Sequence, residues 1–345
     1  MSSQDNTVVF DIGSSFLKVG FSHDCDPKVI PSTVIEYGQT FEPIENGIVK
    51  DWEKLVPLVE KAVKSLGDFD LDCILVTYPL FCSDEYKNNL MKFFFHFGFK
   101  RVHVSLQAPL VLYSRGTTSG IVVQCGHGIT SVVPVLEGFV DQGKVKRLSI
   151  IGGTISDYLL QLLQIRSNSS SLLGKAVIDE IKENLCYCAK SIEEDRKLVK
   201  ETCSLLKTVK LRTGESIQIE SERFECVEVY FTPSLCDIDE ISLSDVIFDS
   251  IQICDINIRR EMYKNIVLYG GSLFPGMRER IEGDVRRRYK SEILRDENSK
   301  RGAEVRVEGS KSRKNCVFSG GCVLVELMRD QPNFWLDKEE YFESN

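Results

Sequence analysis

The sequence predicts an α/β protein built from two related halves. Two observations carry this. Strand-like and helix-like segments alternate from the N-terminus onward, and a hairpin with a small-residue turn opens each half, at 8–21 and again at 121–138. Such an internal echo implies a duplicated fold whose two turns would face each other across a cleft. With 345 residues, the chain is long enough for two or three domains and a sizeable core.

The elements follow in order. "TVVFDIG" and "FLKVGF" form the first hairpin, joined by Gly13-Ser14-Ser15. In "DWEKLVPLVEKAVKSLG", Asp51 is the N-cap candidate, and Trp52, Leu55, Val56, Val59, Ala62, Val63 and Leu66 recur at helical spacing before Gly67. Pro57 is tolerable there only in or near the first turn. "CILVTY" is a fully apolar strand. "SDEYKNNLMKFFFHFG" is a helix capped by Ser83, with acidic residues in its first turn. "KRVHVSL" is a strand and "QAPLVLYSR" a short helix.

After the second hairpin come a helix at "GGTISDYLLQLLQ", a polar loop at "RSNSSSLLG" and a helix at "AVIDEIKENLCYCAK". "VKLRTGESIQIE" reads as a hairpin turning at Thr213-Gly214. A helical stretch from about 242 leads to the strand "NIVLYGG", then a basic helix and the charged loop "LRDENSKRGAE". "NCVFSGGCVLVELM" reads as a strand, a glycine pair and a helix.

Composition excludes several functions. A formal net charge of −8 argues against general nucleic-acid binding. The basic run "RRRYK" at 286–290 has two readings: the solvated face of a helix that also carries Glu279, Glu282 and Asp284, or a docking surface for an acidic partner. The polar start "MSSQDNTVVF" lacks an apolar signal core. No apolar run approaches the roughly 18 residues of a membrane span. The twelve cysteines lie mostly in apolar segments, and Cys186 and Cys188 have no second pair at zinc spacing. Reduced, packed thiols in a cytoplasmic or nuclear protein are expected.

Four turn features could carry chemistry. They are Asp11-Ile12-Gly13-Ser14-Ser15 with Lys18, the stretch Gln124 to Gly128, "YGGSLFPG" at 269–276, and Lys182-Glu183 on a helix. An acid at a strand end can hold a hydrated Mg2+, and small residues after it let backbone amides approach phosphates. A nearby lysine neutralises charge. Each feature alone is weak, because glycine turns are common; the ordered set is stronger.

Through "DIGSSFLKVGF", "PIENGIVKDW", "SLQAPLVLYSRGTTSGIVV", "GITSVVPVLEGF", "ISDYL", "IKENLCY", "ERFE", "NIVLYGGSLFPGM" and "FSGGCVLVEL", taken in order, the chain resembles actin and the actin-related proteins. Its later half, with "KLVKET", "SERFECVEVYFTPSL", "SRKNCVFSGG" and "RDQPNFWLDKEEY", is most similar to the branch-nucleating members. The resemblance implies an actin-like ATPase fold, a duplicated RNase H-like α/β architecture with ATP or ADP and Mg2+ between two lobes. The first lobe would span 1–114, with a remnant of a small subdomain at 32–42. The second would span 115–315, with its outer subdomain at about 151–239, and 316–345 would return to the first.

Carried over by motif, the resemblance assigns Asp11 (through water to the metal), Gly13, Ser14, Leu17 and Lys18 to a first phosphate loop, and Gly126 and Gly128 to a second. It assigns Lys182 and Glu183 to a base-contacting helix and Gly270, Gly271 and Lys314 to other nucleotide-lining positions. Gln107 aligns with a glutamine that positions the attacking water. Tyr113, Gly116, Phe139, Leu324 and Leu327 match an apolar partner groove, with ordinary core packing as the plain alternative.

Departures from the family pattern are as informative. The second loop usually reads Asp-Ser-Gly-Asp-Gly; here it is Gln124-Cys125-Gly126-His127-Gly128. The first missing acid normally orients water on the metal, and the second contacts the ribose. Ser131 stands where actins carry a histidine. Hydrolysis needs an oriented water and charge stabilisation near the γ-phosphate, so this apparatus is thin. His127 has three readings: a satisfied turn histidine, a nucleotide contact, or a metal ligand. Between "PSTV" and "PIENGIV" only "IEYGQTFE" remains where the family places a whole subdomain, and the chain ends at "EEYFESN", short of the usual tail.

The expected function is that of a non-enzymatic, ATP-binding, non-filament-forming subunit of a cytoskeletal complex that nucleates or branches actin filaments. Its partners would be other actin-related and complex subunits and the actin filament, in the cytoplasm. The alternatives are an actin-related subunit of dynactin or of a chromatin-remodelling complex, or a kinase on the same superfamily fold. The actin-like segments outside the nucleotide positions argue against the kinase.

Overall fold

The computed structural model describes residues 6–167, 174–210, 214, 216–296, 302, 304–309, 313–329 and 331–344. The chain divides into two compact units. One is Met1–Ser119 with Val135–Val140 and Lys311–Asn345; the other is Gly120–Pro134 with Asp141–Ser310. The divisions thus fall at 119/120 and 310/311, against 114/115 and 315/316 from the sequence, and the hairpin tip 135–140 counts with the first unit.

In the first unit, β1 (Val8–Ile12) and β2 (Phe16–Phe21) form the expected hairpin, with Ile12 opposite Leu17. Strand β3 (Lys28–Pro31) adds to β2 at the sheet edge. Two small hairpins follow, β4 (Val34–Glu36) with β5 (Gln39–Phe41) and β6 (Ile44–Glu45) with β7 (Ile48–Val49). The β4–β5 turn is Tyr37-Gly38, both with positive φ, the two-residue geometry whose twist matches the flanking strands. Next come α1 (Trp52–Lys64), β8 (Cys73–Tyr78), α2 (Asp84–Phe97), β9 (Arg101–Leu106) and α3 (Gln107–Tyr113). The sheet order is β9-β8-β1-β2-β3, with β9, β8 and β1 parallel, so three carboxyl ends lie side by side. All five residues of β1 are buried, as a strand covered on both faces requires.

Both predicted caps form. The Asp51 carboxylate accepts from the Lys54 N–H (3.0 Å) and Ser83 Oγ from the Tyr86 N–H (3.1 Å). Pro57, however, lies in the second turn of α1, beyond the place the sequence reading allowed it. It removes the bond that residue 57 would donate to Glu53, and α1 tolerates this because Leu55, Leu58, Val59 and Ala62 bury its inner face. Aromatic rings of β1 and α2 interlock beneath the sheet; Phe10 meets Phe94 edge-on at 5.5 Å.

The second unit has β10 (Gly120–Cys125) and β11 (Thr130–Leu136), whose end pairs with β12 (Phe139–Val140) in the first unit's hairpin tip, and then β13 (Lys146–Leu148). Helices α4 (Gly152–Ser167), α5 (Lys175–Leu185) and α6 (Ile192–Glu201) precede the hairpin β14 (Lys207–Lys210) and β15 (Ser216–Ile219). Part of the predicted polar loop, 168–173, and Thr213 lie outside the described residues. After α7 (Glu222–Glu228), α8 (Leu243–Ile253) and α9 (Ile256–Lys264) come β16 (Ile266–Tyr269), α10 (Met277–Arg288) and β17 (Val307–Gly309). The sheet order is β11-β10-β16-β17, with β10, β16 and β17 parallel.

The basic run of α10 resolves into ion pairs. Arg286 meets Glu282 (2.6 Å), Arg287 meets Asp284 (3.0 Å), and Arg288 meets Asp245, Asp249 and Glu292. Its charge is spent on its own helix, on α8 and on the following turn, which favours the solvated-face reading.

The last elements, α11 (Cys316–Leu327), β18 (Leu336–Asp337) and α12 (Lys338–Ser344), belong to the first unit. Strand β18 extends the sheet beyond β9. The sequence suggested a strand, a glycine pair and a helix over 315–328; instead Gly320 and Gly321 sit inside one continuous helix. A Cβ on Gly320 would collide with the Leu110 carbonyl of α3, and one on Gly321 would come within 2.7 Å of a Val9 methyl. The pair permits close helix packing rather than a turn.

Candidate functional site

The first unit gathers two of the predicted residues, Asp11 and Gln107, together with Thr77, at the carboxyl ends of its parallel strands. Asp11 and Thr77 are each next to last in β1 and β8, and Gln107 follows β9 as the first residue of α3. Ligand-binding residues concentrate at such carboxyl ends in α/β sheets. The Asp11 side chain is almost fully buried. Its Oδ2 pairs with Lys18 Nζ (2.8 Å), and its Oδ1 accepts from Thr77 Oγ1 (2.8 Å) and Gln107 Nε2 (3.0 Å). Lys18 reaches Asp11 because the two are directly opposite in the β1–β2 register. A carboxylate held by three groups on three elements has little freedom left, which suits an outer-sphere contact to a hydrated cation.

The turn beside it is shaped by side chains. Ser14 Oγ accepts from the Gly47 N–H (2.8 Å), and Ser32 Oγ donates to the Gly13 carbonyl (2.7 Å). Among the described residues, the N–H groups of Ser14 and Ser15 find no acceptor. Successive unpaired amides in a turn form an anion-binding concavity. Leu17 is buried under the turn.

The second unit repeats the theme with β10 and β16. Gln124 and Cys125 end β10, and Gly270 and Gly271 follow β16. Gly270 has φ 118°, and a Cβ there would collide with the Cys125 carbonyl, so only glycine fits. The Gly126 N–H donates to the Ile129 carbonyl (2.8 Å), closing the loop, and the Gly152 and Gly153 N–H groups donate to the carbonyls of Gly126 (2.9 Å) and His127 (3.0 Å). Loop 126–128 is thereby stitched to the start of α4. The Gly128 N–H donates to no acceptor among the described residues. Ser131 Oγ faces Gln124 Oε1 at 3.4 Å, a long contact between two neutral groups.

Lys182 is buried on α5, and its ammonium is fully engaged. It pairs with Asp179 Oδ1 (2.9 Å) and donates to Ser156 Oγ (2.6 Å) and the Gly152 carbonyl (3.2 Å). A lysine has three donors, so this one has none left for a ligand. It acts as a strut to α4 from α5, the helix that the resemblance assigns to the base. Glu183, the next residue, is exposed. Lys314 is also exposed, just before α11. Burial pushes the Asp179 carboxyl up, but the hydrogen bond and charge of Lys182, with smaller help from Ser156 and His127, leave it below the usual carboxylate range. Burial raises the Cys125 thiol to about 12, so it stays protonated at neutral pH.

A match to the actin family model covers residues 37–345. The chain belongs to the actin family. It is 32% identical over 378 aligned residues to actin-related protein 2 of Acanthamoeba castellanii, covering 99% of this chain and 97% of the relative. It is 34% identical to actin-related protein 2 of Saccharomyces cerevisiae (91% and 82% covered) and 31% identical to that of Arabidopsis thaliana (98% and 96%). This actin-family chain therefore resembles actin-related protein 2 over nearly its whole length.

The first unit of this actin-family chain also carries the groove residues. Tyr113 ends α3 with its hydroxyl against Gly138, and Gly116 is exposed nearby in sequence with φ 70°. Phe139 is 79% exposed and Leu327 69%, while Leu324 is half-buried. Core packing therefore does not account for Phe139 or Leu327. Three groups escaped the sequence reading: Thr77, Ser156 and Asp179. The strand-end position of Thr77 was the available signal; Ser156 and Asp179 gave none, because their meeting depends on how α4 packs on α5.

Proposed function

We propose that this chain is an actin-related subunit of a cytoskeletal assembly that nucleates or branches actin filaments. In this reading it holds ATP or ADP with Mg2+, hydrolyses it weakly or not at all, and does not polymerise by itself. The carrying observation is the contrast within loop 124–131. The backbone cradle is complete, with Gly126 and Gly152 bonded and the Gly128 N–H unspent. The side chains where the family carries an acid and an imidazole are the neutral pair Gln124 and Ser131.

The residues present fit a nucleotide and its cation. Asp11 offers one buried, oriented carboxylate, and Mg2+ is commonly held by one or two carboxylates together with substrate phosphates. Within the first unit, Ser14 and Ser15 offer backbone donors for phosphate oxygens, and Lys18 supplies charge. Bound Mg2+ would neutralise phosphate charge. Gln107 donates its amide to Asp11, which fixes this side chain beside the carboxylate. With no carboxylate at 124 and no imidazole at 131, little is left to polarise an attacking water.

Polymerisation is disfavoured by the short β4–β5 hairpin, which replaces a family subdomain with eight residues, Val34–Phe41. Similarity to actin-related protein 2 supports the assembly role. The test is affinity purification of the full chain with identification of its partners, together with thermal unfolding with and without ATP and Mg2+. Actin and other actin-related subunits should co-purify, and nucleotide should raise the melting temperature by mass action, less so in Asp11→Ala. Recovery of dynein-associated or histone-associated partners alone would overturn the assembly; no shift with saturating ATP or ADP, and no nucleotide carried by the isolated protein, would overturn the nucleotide.

A further inference from the structure

With Lys182 spent internally, the polar group left open beside loop 126–128 is Asp179. Its Oδ1 accepts from both Ser156 Oγ (2.9 Å) and Lys182 Nζ (2.9 Å). Lys182 Nζ also donates to the Gly152 carbonyl (3.2 Å), which lies 3.2 Å from Ser156 Oγ. Gly152 in turn donates to the Gly126 carbonyl, and His127 is close enough to act electrostatically on the Asp179 carboxylate. One oxygen of Asp179 is thus pinned to the wall of the glycine loop. The other, Oδ2, accepts no hydrogen bond from any described residue, and the side chain is 34% exposed.

We propose that Asp179 reads the sugar of the bound nucleotide, with Oδ2 accepting a hydroxyl of the ribose diol in place of the carboxylate missing from position 127. This rests on the nucleotide-binding reading above and names the class of ligand that the site prefers: ribonucleoside over deoxyribonucleoside phosphates. The chemistry suits the task. An ionised carboxylate is acceptor-only, and a sugar hydroxyl is a donor. Because Oδ1 is already fixed from two sides, ordering Oδ2 on binding costs little. A site built around such an acceptor discriminates strongly against a ligand that lacks the donor, because the charged oxygen is then left without its partner. His127, on the loop itself, offers no acid for the purpose. The acid has moved from the loop to the second turn of α5.

The experiment is calorimetric titration of the full chain with the Mg2+ complexes of ATP, 2′-deoxyATP and 3′-deoxyATP. Loss of the hydroxyl held by Asp179 should weaken binding roughly ten- to hundredfold, the range for a hydrogen bond to a charged group. In Asp179→Ala that preference should collapse. Ser156→Ala, which keeps the carboxylate but loosens it, should reduce the preference without abolishing it. Adding His127→Asp to Asp179→Ala should restore part of it. Equal binding of all three nucleotides by the unmodified chain, or an undiminished preference in Asp179→Ala, would overturn the sugar assignment and leave nucleotide binding standing. Failure of the folded, unmodified chain to bind any of the three would remove both.

Discussion

Adjacent glycines at the start of α4 should respond in opposite directions to the same substitution. A Cβ on Gly152 would collide with Ser272 Oγ and lie 2.9 Å from the Gly126 carbonyl oxygen and 3.0 Å from the His127 Cα. Ser272 can rotate away; the two backbone atoms cannot. Ordinary carbon contacts begin near 3.5 Å, so loop 126–128 must retreat by about 0.5 Å. Its bonds to Gly152 and Gly153 resist that. Overpacking of this kind costs about 1–3 kcal/mol, and the stiffer unfolded chain returns about 0.4–1 kcal/mol. Gly152→Ala should therefore lose about 1–2 kcal/mol net, or roughly 2–8 °C in melting temperature for a unit of this size. At Gly153 the nearest atoms to a Cβ lie at 3.6 Å or beyond, so Gly153→Ala should be neutral or slightly stabilising. Thermal unfolding of the three proteins by circular dichroism decides it, and the rise produced by ATP with Mg2+ should shrink in Gly152→Ala alone. Matching melting temperatures for the two variants would refute the claim that α4 holds the glycine loop in place.

Three further outcomes are expected. Steady-state phosphate release should fall well below that of filamentous actin, and Gln124→Asp with Ser131→His should raise it; a rate equal to that of actin in the unmodified chain would contradict the neutral-pair argument. In polymerising salt the purified chain should remain in the supernatant on sedimentation, and long filaments by electron microscopy would contradict the role given to the short β4–β5 hairpin. The depressed carboxyl of Asp179 gives stability that is complete above the ordinary aspartate value of about 4 and is lost as pH falls through the lower folded value. The melting-temperature gap between the unmodified chain and Asp179→Asn should accordingly narrow on acidification from neutral pH, and a gap that widens would show the sign to be wrong.

Local signals were enough for most of the fold. Asp51 and Ser83 cap their helices because N-capping needs only a short polar side chain at the right offset. "CILVTY" is a buried parallel strand because a short, mostly apolar and partly β-branched run suits a strand covered on both faces. Asp11 and Lys18 meet because a hairpin register places them opposite each other, and register follows from turn length. The family itself was legible from ordered motifs, and so was the loss of the acids at 124 and 127, since absence of a side chain type needs no coordinates.

Other features depended on packing between segments distant in sequence. Gly320-Gly321 reads as a turn by composition, yet it lies inside α11 because α3 and β1 approach too closely for side chains. Pro57 survives in the second turn of α1 because four buried residues hold that helix to the core. Lys182 carries the charge and position of a ligand-binding lysine, and only the placement of Gly152 and Ser156 shows its three donors already in use. Asp179 is the converse case, an acid without a motif whose second oxygen is left open once the first is pinned. A side chain's type is local information, but whether its hydrogen-bonding capacity is spent is decided by the neighbours that folding brings to it.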